Sequence, residues 1–354
     1  MRRVAKLSAA CFVTAALALS ATACGKTSSD DASSSSSSSG GGAKGGIKIG
    51  LAYDVGGRGD RSFNDSAARG ADKAEKQFGG SIKELTAKTS DTEADREQRL
   101  QDLADAGYNP IVAVGYAYAP SVQKIAAKYP KTSFGIVDSV VDGKNVDSIT
   151  FTEEQSSYLA GVAAALKTKK THVGFIGGVD NPLIKKFEAG YVQGVHDTNP
   201  KVKVDVQYLT HGQDFSGFSS PDKGQQAAQG MLDNGADVVY TAAGSSGTGA
   251  IEAVNGVKGA WAIGVDSDQY NIPGMEKYKS SILTSAVKNV DVGVFDFIQS
   301  VKNGKPLAGN NVYSLAKGGV SLATSGGYLK DIQPKLDAAK QKIVDGKITV
   351  KTTP

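Results

Sequence analysis

The sequence is poor in the side chains on which transition-metal and cysteine-based catalysis depend. Its 354 residues include two cysteines, Cys11 and Cys24, and three dispersed histidines, His172, His196 and His211. A transition-metal site usually combines several histidine, cysteine or carboxylate ligands, and a covalent thiol mechanism requires an activated cysteine. The composition therefore supports neither a metal site nor a cysteine nucleophile.

An excess of charge of one sign is also missing. The chain carries 40 Lys and Arg against 36 Asp and Glu, a formal net charge of +4 that is spread along its length. Proteins that bind nucleic acid usually concentrate basic residues on one face or along one helix. We therefore expect no nucleic-acid partner.

The first 46 residues have the pattern of an export signal followed by a tether. Basic residues precede an apolar run over residues 7–19, and the small residues Ala21-Thr-Ala23 precede Cys24. This pattern is typical of a secretory signal peptide, not of a membrane span. The junction resembles a lipobox, so we expect residues 1–23 to be removed and Cys24 to carry lipid. Because Cys11 lies in the removed segment, the mature chain would have no disulfide.

Residues 24–46 contain almost no apolar side chains and include seven consecutive serines, Ser33 to Ser39. Such a segment cannot bury enough apolar surface to fold, and it is predicted to be a flexible tether.

From residue 47 onward, apolar runs alternate with amphipathic segments. The apolar runs cover residues 47–53, 82–87, 111–115, 134–138, 172–177, 202–209, 238–243 and 261–266. Helical patterns cover residues 93–106, 120–129, 155–168, 182–196, 222–234 and 329–345. This alternation predicts an α/β fold with parallel, helix-flanked sheets. The segment is too long for one ordinary core, so two lobes are expected.

Two similar stretches support that division. Ile49-Gly-Leu-Ala-Tyr-Asp-Val-Gly-Gly57 and Val173-Gly-Phe-Ile-Gly-Gly-Val-Asp180 each open a series of strand, loop and helix. They predict two lobes of similar topology joined by crossover segments. We expect lobe one to comprise residues 47–151 and about 288–310, and lobe two residues 152–287 and about 311–354.

A glycine-rich loop after the first apolar run is the candidate binding element. It reads Asp54-Val-Gly-Gly-Arg-Gly-Asp60-Arg-Ser-Phe-Asn64, and ligands of open α/β sheets bind at the carboxyl ends of the strands. The position of Phe63 does not fit the periodicity of core-facing residues in a helix or strand, and the side chain of Asn64 carries both donors and acceptors. The pair would suit a planar ligand with a polar edge. Alternatively, Phe63 packs as a staple under a helix that Ser62, Asn64 or Asp65 caps.

Seven motifs occur in order along the chain. They are the loop over residues 54–64, Glu153-Glu-Gln-Ser-Ser-Tyr-Leu-Ala-Gly161, Gly177-Gly-Val-Asp-Asn-Pro182, Gly217-Phe-Ser-Ser-Pro-Asp-Lys-Gly224, Ala243-Gly-Ser-Ser-Gly-Thr-Gly249, Gly264-Val-Asp-Ser-Asp-Gln269 and Thr284-Ser-Ala-Val-Lys-Asn289. Together they resemble the basic membrane protein family. The resemblance implies the type I periplasmic-binding fold in a lipoprotein that binds a purine nucleoside for an ABC import permease. Such a protein would be a cofactor-free monomer, lipid-anchored on the extracytoplasmic face of the cell membrane.

The resemblance also implies a binding site for the base. Phe63 of lobe one and Phe218 of lobe two would sandwich the base, since aromatic rings stack on bases with little regard to their identity. Asp54, Asn64 and Asp138 would meet the base edge. Which nucleoside is preferred stays open, because it depends on how the side chains of Asp54 and Asn64 are oriented.

A sugar site follows from the same resemblance. Asp266 would accept hydrogen bonds from the 2′ and 3′ hydroxyls, Lys288 would donate to a ribose oxygen, and the backbone of Gly244 would line the sugar. Each polar residue has a structural alternative: Asp138 and Asp266, at predicted strand ends, could cap helices, and Lys288 could be a solvated surface lysine.

One stretch departs from the family. Gly59-Asp60-Arg61 stands where the family commonly has two acidic residues and a lysine. Asp60 is therefore expected to order the loop rather than to contact the ligand.

Two other functions remain open at this point. A nucleoside hydrolase would need an acidic cluster around a metal-bound water, and Asp266-Ser-Asp268 is the one close acidic pair in a plausible site. The glycines of residues 244–249 match neither the Rossmann order nor the Walker motif with its lysine. A sensor of the same fold would present a ligand-dependent surface to a membrane partner, and neighbouring permease and ATPase genes would argue for transport instead.

The first prediction concerns the anchor. We expect the protein in the membrane fraction and the Cys24→Ser variant in the soluble fraction, because the substitution removes the sulfur that would carry lipid. Fractionation followed by immunoblotting measures this. Recovery of the unaltered protein only from the culture medium would contradict it. A chain that starts at Lys44 should keep the affinity for ligand, since the tether is expected to make no contribution to binding.

Overall fold

The computed structural model describes residues 46–354. The predicted signal peptide, Cys24 and nearly all of the predicted tether lie outside the described residues. Within the described part of the chain, no helix has both the length and the apolar character needed to cross a bilayer.

Strands and helices alternate over most of the described chain. The strands are β1 (Ile47–Val55), β2 (Gly80–Ala87), β3 (Ile111–Val114), β4 (Phe134–Val137), β5 (Val146–Phe151), β6 (His172–Asp180), β7 (Lys203–His211), β8 (Val238–Ala242), β9 (Trp261–Asp266), β10 (Ile282–Lys288), β11 (Gly309–Tyr313) and β12 (Val320–Leu322). The helices are α1 (Phe63–Phe78), α2 (Glu93–Asp105), α3 (Ala119–Lys128), α4 (Glu153–Lys167), α5 (Pro182–Thr198), α6 (Pro221–Asp233), α7 (Ser246–Asn255), α8 (Val290–Lys302) and α9 (Gln333–Val344).

The strands form two six-stranded sheets, one in each lobe. The order is β11-β5-β4-β3-β1-β2 in lobe one and β12-β10-β9-β8-β6-β7 in lobe two. The two orders correspond strand for strand, and all neighbours are parallel except β10 and β12. The prediction of two similar α/β lobes with helix-flanked parallel sheets is confirmed.

Burial explains why the sequence forms these sheets. Every residue of β3, β4 and β8 is buried, as expected for central parallel strands that helices cover on both faces. Their continuous apolar runs are the runs that the sequence shows. The carboxyl ends of these central strands point toward the other lobe, so the residues that follow them line the space between the two sheets.

The chain crosses between the lobes three times. It passes from β5 into α4 at Thr152, from β10 into α8 at Asn289, and from β11 into β12 after Tyr313. The crossing segments bond to one another, with the amide of Thr152 3.3 Å from the carbonyl oxygen of Tyr313 and the amide of Asn289 2.9 Å from that of Gly319. These bonds join the three segments into a common hinge region.

The start of α1 differs from the prediction. Phe63 is the first helical residue rather than a loop residue, and Ser62 makes no capping hydrogen bond through its side chain. The carboxylate of Asp60 instead accepts hydrogen bonds from the amides of Ser62, Asn64 and Asp65 at 2.9, 2.8 and 3.1 Å. Asp60 therefore orders the loop. At the other end of the chain, α9 begins at Gln333, four residues after the predicted start, because a short 3₁₀ turn and a loop precede it.

Helices α4 and α5 pack with their backbones in close approach. A Cβ atom on Gly190 would lie 2.1 Å from the carbonyl oxygen of Glu154, and one on Gly194 would lie 2.1 Å from that of Tyr158. A Cβ atom on Gly161 of α4 would likewise lie 2.2 Å from the carbonyl oxygen of Tyr191. The two helices can approach this closely only because these positions lack side chains.

This packing predicts a contrast between two glycine substitutions. Gly194→Ala should lower the free energy of unfolding by about 1–3 kcal/mol, because the new methyl group forces the helices apart. Gly230→Ala is the control, since this exposed glycine of α6 has no atom within 4 Å of an added Cβ. It should raise stability by about 0.4–1 kcal/mol. Chemical denaturation measures both values, and equal effects would contradict the packing account.

Candidate functional site

A cavity lies between the lobes at the carboxyl ends of both sheets. About 510 Å³ of empty space, part of it open to solvent, lies between its walls. Its walls contain all the residues proposed from the sequence as ligand contacts, namely Asp54, Phe63, Asn64, Asp138, Phe218, Gly244, Asp266 and Lys288. The fold therefore brings these residues together, although their individual roles toward a ligand stay predictions.

The apolar wall includes residues that sequence reasoning missed. Phe63 comes from lobe one, while Phe218 is joined in lobe two by Leu183, Ile184 and Phe187 of α5. The spacing of the three α5 residues is that of a helix face packed on a core, so the pattern alone cannot separate them from core residues. Their one distinguishing signal is position, because α5 starts directly after β6 at the carboxyl edge of the sheet.

A buried ion pair joins the two lobes at the polar wall. The ammonium of Lys288, on β10, lies 2.6 Å from Asp138 Oδ2 of lobe one and 3.8 Å from Asp266 Oδ1 of lobe two. The Lys288 side chain is 3% exposed, so it is not a solvated surface lysine. Burial alone would lower the pKa of Lys288, but Asp138, Asp266 and Glu153 outweigh burial and raise it. The amine therefore stays protonated.

The side-chain amide of Asn64 has a fixed orientation. Its Nδ2 atom donates to Asp54 Oδ1 at 2.7 Å and to Asp60 Oδ2 at 3.1 Å. The same nitrogen lies 3.4 Å from the carbonyl oxygen of Val55, which can only accept, so the amide nitrogen faces these groups and the Oδ1 atom faces away. Burial raises the pKa of Asp54 well above its ordinary value, while the hydrogen bond from Asn64 opposes this rise. A further donor would therefore favour the carboxylate form of Asp54.

Three buried oxygen atoms in the cavity wall have no hydrogen-bond partner among residues 46–354. They are Asn64 Oδ1, Asp138 Oδ1 and Asp266 Oδ1. Leaving a buried acceptor unpaired costs roughly 1–3 kcal/mol, and more for a charged group. The polar part of the cavity therefore suits a ligand that brings several N–H or O–H groups.

Contacts between the lobes lie beside the cavity. Asn181 Nδ2 of lobe two donates to the hydroxyl of Tyr116, which follows β3 of lobe one, at 3.0 Å. The ring centroids of Tyr116 and Phe215 are 6.0 Å apart. Phe215 begins the 3₁₀ turn Phe215–Phe218, whose last residue lines the cavity. This turn therefore contacts lobe one at one end and the binding cavity at the other.

Comparison with known proteins identifies the family. Residues 47–353 match a family described as ABC transporter substrate-binding protein, PnrA-like. The chain belongs to this family. A Lactococcus lactis subsp. cremoris protein named ABC transporter nucleoside-binding protein BmpA is 38% identical over 323 residues, which are 86% of this chain and 89% of that protein. An uncharacterized lipoprotein of Pyrococcus abyssi is 32% identical over 314 residues, 81% of this chain and 74% of that protein.

Solved structures agree with this assignment. An ABC transporter solute-binding protein from Aeropyrum pernix K1 superposes with a TM-score of 0.74 at 28% sequence identity, over 86% of this chain and 93% of that one. The resemblance drawn from the seven motifs is therefore confirmed, and so is the expected fold. The chain is therefore a substrate-binding component of an ABC transporter, and the cavity lies between its two lobes.

A buried glutamate lies behind the cavity of this substrate-binding protein. Glu153, the first residue of α4, is 1% exposed, and its Oε2 atom lies 3.5 Å from Lys186 Nζ. Burial raises the pKa of Glu153 to about 7; Lys288 and Lys186 lower it, and Asp138 raises it. The side chain therefore takes up a proton at a much higher pH than an exposed glutamate does.

This raised pKa predicts how stability depends on pH. A carboxyl group with a higher pKa in the folded state stabilises the fold at low pH, and that contribution is lost as pH rises. Between about pH 4.5 and pH 7, the free energy of unfolding of the unaltered protein should fall by on the order of 1–3 kcal/mol relative to that of Glu153→Gln. Denaturation of both proteins across this range measures the difference. A difference that does not change with pH would contradict the shift.

Proposed function

We propose that this substrate-binding protein captures a nucleoside, specifically a purine nucleoside, between its lobes and delivers it to an ABC import permease. The observation that carries the proposal is the combination of three unpaired buried acceptors with aromatic rings from both lobes in one cavity. A nucleoside is neutral, planar at one end, and rich in N–H and O–H donors. The name of the Lactococcus lactis relative supports the same class of ligand.

The base would lie between Phe63 and Phe218. These rings come from opposite lobes, so a base stacked between them would hold the lobes together. Stacking on each ring contributes about 1–3 kcal/mol. At the base edge, Asn64 presents an acceptor because its amide nitrogen is occupied. A purine that offers an N–H group at this edge would satisfy that acceptor.

The sugar would lie against the ion pair. Asp266 Oδ1 is an unpaired acceptor 3.8 Å from Lys288 Nζ, and the ribose hydroxyls would donate to Asp266. Gly244 follows β8 with φ +54°, and a Cβ there would lie 2.9 Å from the carbonyl oxygen of Phe218. The missing side chain lets this backbone line the sugar closely.

We also propose that Cys24 carries the lipid that holds the protein on the extracytoplasmic face of the cell membrane. The signal-like start of the chain supports this, as do relatives named lipoproteins. A monomer would be sufficient for this role, because both walls of the cavity come from one chain.

The hydrolase alternative loses its main support. It depended on Asp266 and Asp268 acting as a pair, but the carboxylate of Asp268 bonds to Asn271 and Ser325, and Asp268 is not among the residues that line the cavity. Within the described residues, no three His, Cys, Asp or Glu side chains are grouped as metal ligands. A sensor would share the same cavity and would differ in its partner. Loss of nucleoside uptake on deletion of the gene would distinguish transport from sensing.

The role of Asp266 gives the test of a nucleoside site. The unaltered protein should bind a ribonucleoside about 1–3 kcal/mol more tightly than its 2′-deoxy form, because the missing hydroxyl leaves a buried charged acceptor unpaired. In Asp266→Ala this preference should disappear. Asp268→Ala is the control and should keep the preference. Calorimetric titration of the three proteins with both ligands completes the cycle, and a coupling near zero would remove Asp266 from the sugar site.

A further inference from the structure

Ser62 makes hydrogen bonds across the lobe boundary. It precedes α1 of lobe one and is fully buried, with 0% exposure. Its hydroxyl lies 2.8 Å from Asp266 Oδ2 and 3.2 Å from the carbonyl oxygen of Val265, both at the end of β9 in lobe two. Its own carbonyl oxygen accepts a hydrogen bond from Ser267 Oγ at 2.7 Å. The glycine-rich loop of lobe one thus contacts the strand end that carries Asp266 directly.

Other bonds support the same docking. Arg69 of α1 donates to Ser267 Oγ at 3.0 Å, and Gln269 Nε2 donates to the carbonyl oxygen of Arg61 at 3.0 Å. Gln269 is fully buried. These contacts join the loop of lobe one to residues 266–269 of lobe two without any contribution from a ligand. If the lobes moved apart at this point, all of these hydrogen bonds would break together.

The two oxygen atoms of Asp266 have different surroundings. Oδ2 accepts the hydrogen bond from Ser62, whereas Oδ1 has no hydrogen-bond partner among the described residues and lies 3.8 Å from Lys288 Nζ. A carboxylate that is held through one oxygen cannot rotate freely about its side-chain bonds. The Ser62 hydroxyl therefore determines the direction in which Oδ1 presents its lone pairs to the cavity.

The backbone on both sides of this contact is strained. Asp266 has φ +61° and Arg61 has φ +59°, a left-handed conformation that residues other than glycine adopt at a cost. Such strain persists where surrounding contacts hold it, and it is often found at ligand sites. Here the hydrogen bonds of Ser62, Ser267 and Gln269 surround the two strained residues.

We propose that Ser62 is a positioning residue that couples closure of the lobes to recognition of the ligand's sugar. When the lobes meet, the Ser62 hydroxyl donates a hydrogen bond to Asp266 Oδ2, and Oδ1 then faces the vicinal hydroxyls of a ribose. This inference rests on the proposed nucleoside function. It adds that discrimination between ribose and 2′-deoxyribose depends on a residue of lobe one that does not itself contact the sugar.

A purely mechanical role makes a different prediction. If Ser62 only holds the lobes together, its loss should weaken every ligand by the same factor. If it orients Asp266, its loss should weaken ribonucleosides more than 2′-deoxynucleosides. The ratio of the two affinities therefore separates the two roles, because a general loss of closure cancels from it.

The experiment measures the affinities of a ribonucleoside and its 2′-deoxy form by calorimetry in a set of variants. Ser62→Ala should lower the affinity for the ribonucleoside about 10-fold and the affinity ratio by at least about 3-fold. Ser62→Thr keeps a hydroxyl and should restore the ratio. Ser62→Cys, whose thiol is a weak donor, should reduce the ratio as well, and it provides the same readout if Ser62→Ala does not fold.

Two serines serve as matched controls. Ser66 is also fully buried on α1, but its hydroxyl accepts from the amide of Asp291 within lobe one at 3.2 Å, so Ser66→Ala should leave the ratio unchanged. Ser267→Ala removes two bonds between the lobes, one to the carbonyl oxygen of Ser62 and one from Arg69, and leaves the bond from Ser62 to Asp266 in place. It should weaken both ligands by the same factor.

The outcomes separate this inference from the proposed function. If the unaltered protein prefers the ribonucleoside and Ser62→Ala keeps the full ratio, the positioning role is wrong and the nucleoside site stands. If Ser267→Ala changes the ratio as much as Ser62→Ala does, the effect on the ratio is not specific to the bond from Ser62 to Asp266, which also overturns the positioning role. If the unaltered protein binds no nucleoside, the proposed function fails and the inference fails with it.

Discussion

The ammonium group of Lys288 joins carboxylates from both lobes at the centre of the cavity. Asp138 belongs to lobe one and Asp266 to lobe two, and Lys288 lies between them with almost no exposure to solvent. Removing charges from water is costly, and a buried pair that loses one partner destabilises a protein strongly. The closed arrangement of the lobes therefore depends on this cation, because the carboxylates would otherwise face each other uncompensated.

The same constraint defines what the cavity can accept. Asp54, Asp60, Asp138 and Asp266 line it, and Lys288 is the one basic residue among the lining side chains. Both amide hydrogens of Asn64 are directed at carboxylates, and Lys288 donates to Asp138. The unpaired oxygen atoms of Asn64, Asp138 and Asp266 are buried acceptors, and aromatic rings line the same cavity. A neutral ligand with several donors satisfies these acceptors, whereas an anion would add charge of the same sign.

Much of the architecture could be predicted because it depends on local patterns. Apolar runs separated by amphipathic segments are visible in the sequence, and so are residues that directly follow such runs. Asp266 ends β9, Lys288 ends β10, and Asp54 is the last residue but one of β1. The family resemblance implied all three as ligand contacts, and their positions agree with the rule that ligands lie at the carboxyl ends of parallel strands.

What could not be predicted depends on contacts between residues distant in the sequence. The sequence predicted that Asp60 orders the loop, but the three amides that donate to its carboxylate depend on the three-dimensional shape of a glycine-rich turn. The bond from Ser62 to Asp266 joins positions on different lobes. The orientation of Asn64 follows from two carboxylates that converge on its amide nitrogen. Phe187 faces the cavity from a helix whose periodicity is the same as that of a core helix.

The central claim is that buried acceptors recognise the donors of a neutral nucleoside. Calorimetric titration of the ligand-free protein with a purine ribonucleoside and with its 5′-monophosphate tests this most directly. We expect saturable binding of the nucleoside and at least about 10-fold weaker binding of the monophosphate, since 1.4 kcal/mol of repulsion among the carboxylates is sufficient for that factor. Equal or tighter binding of the monophosphate, or no binding of any nucleoside, would contradict the account.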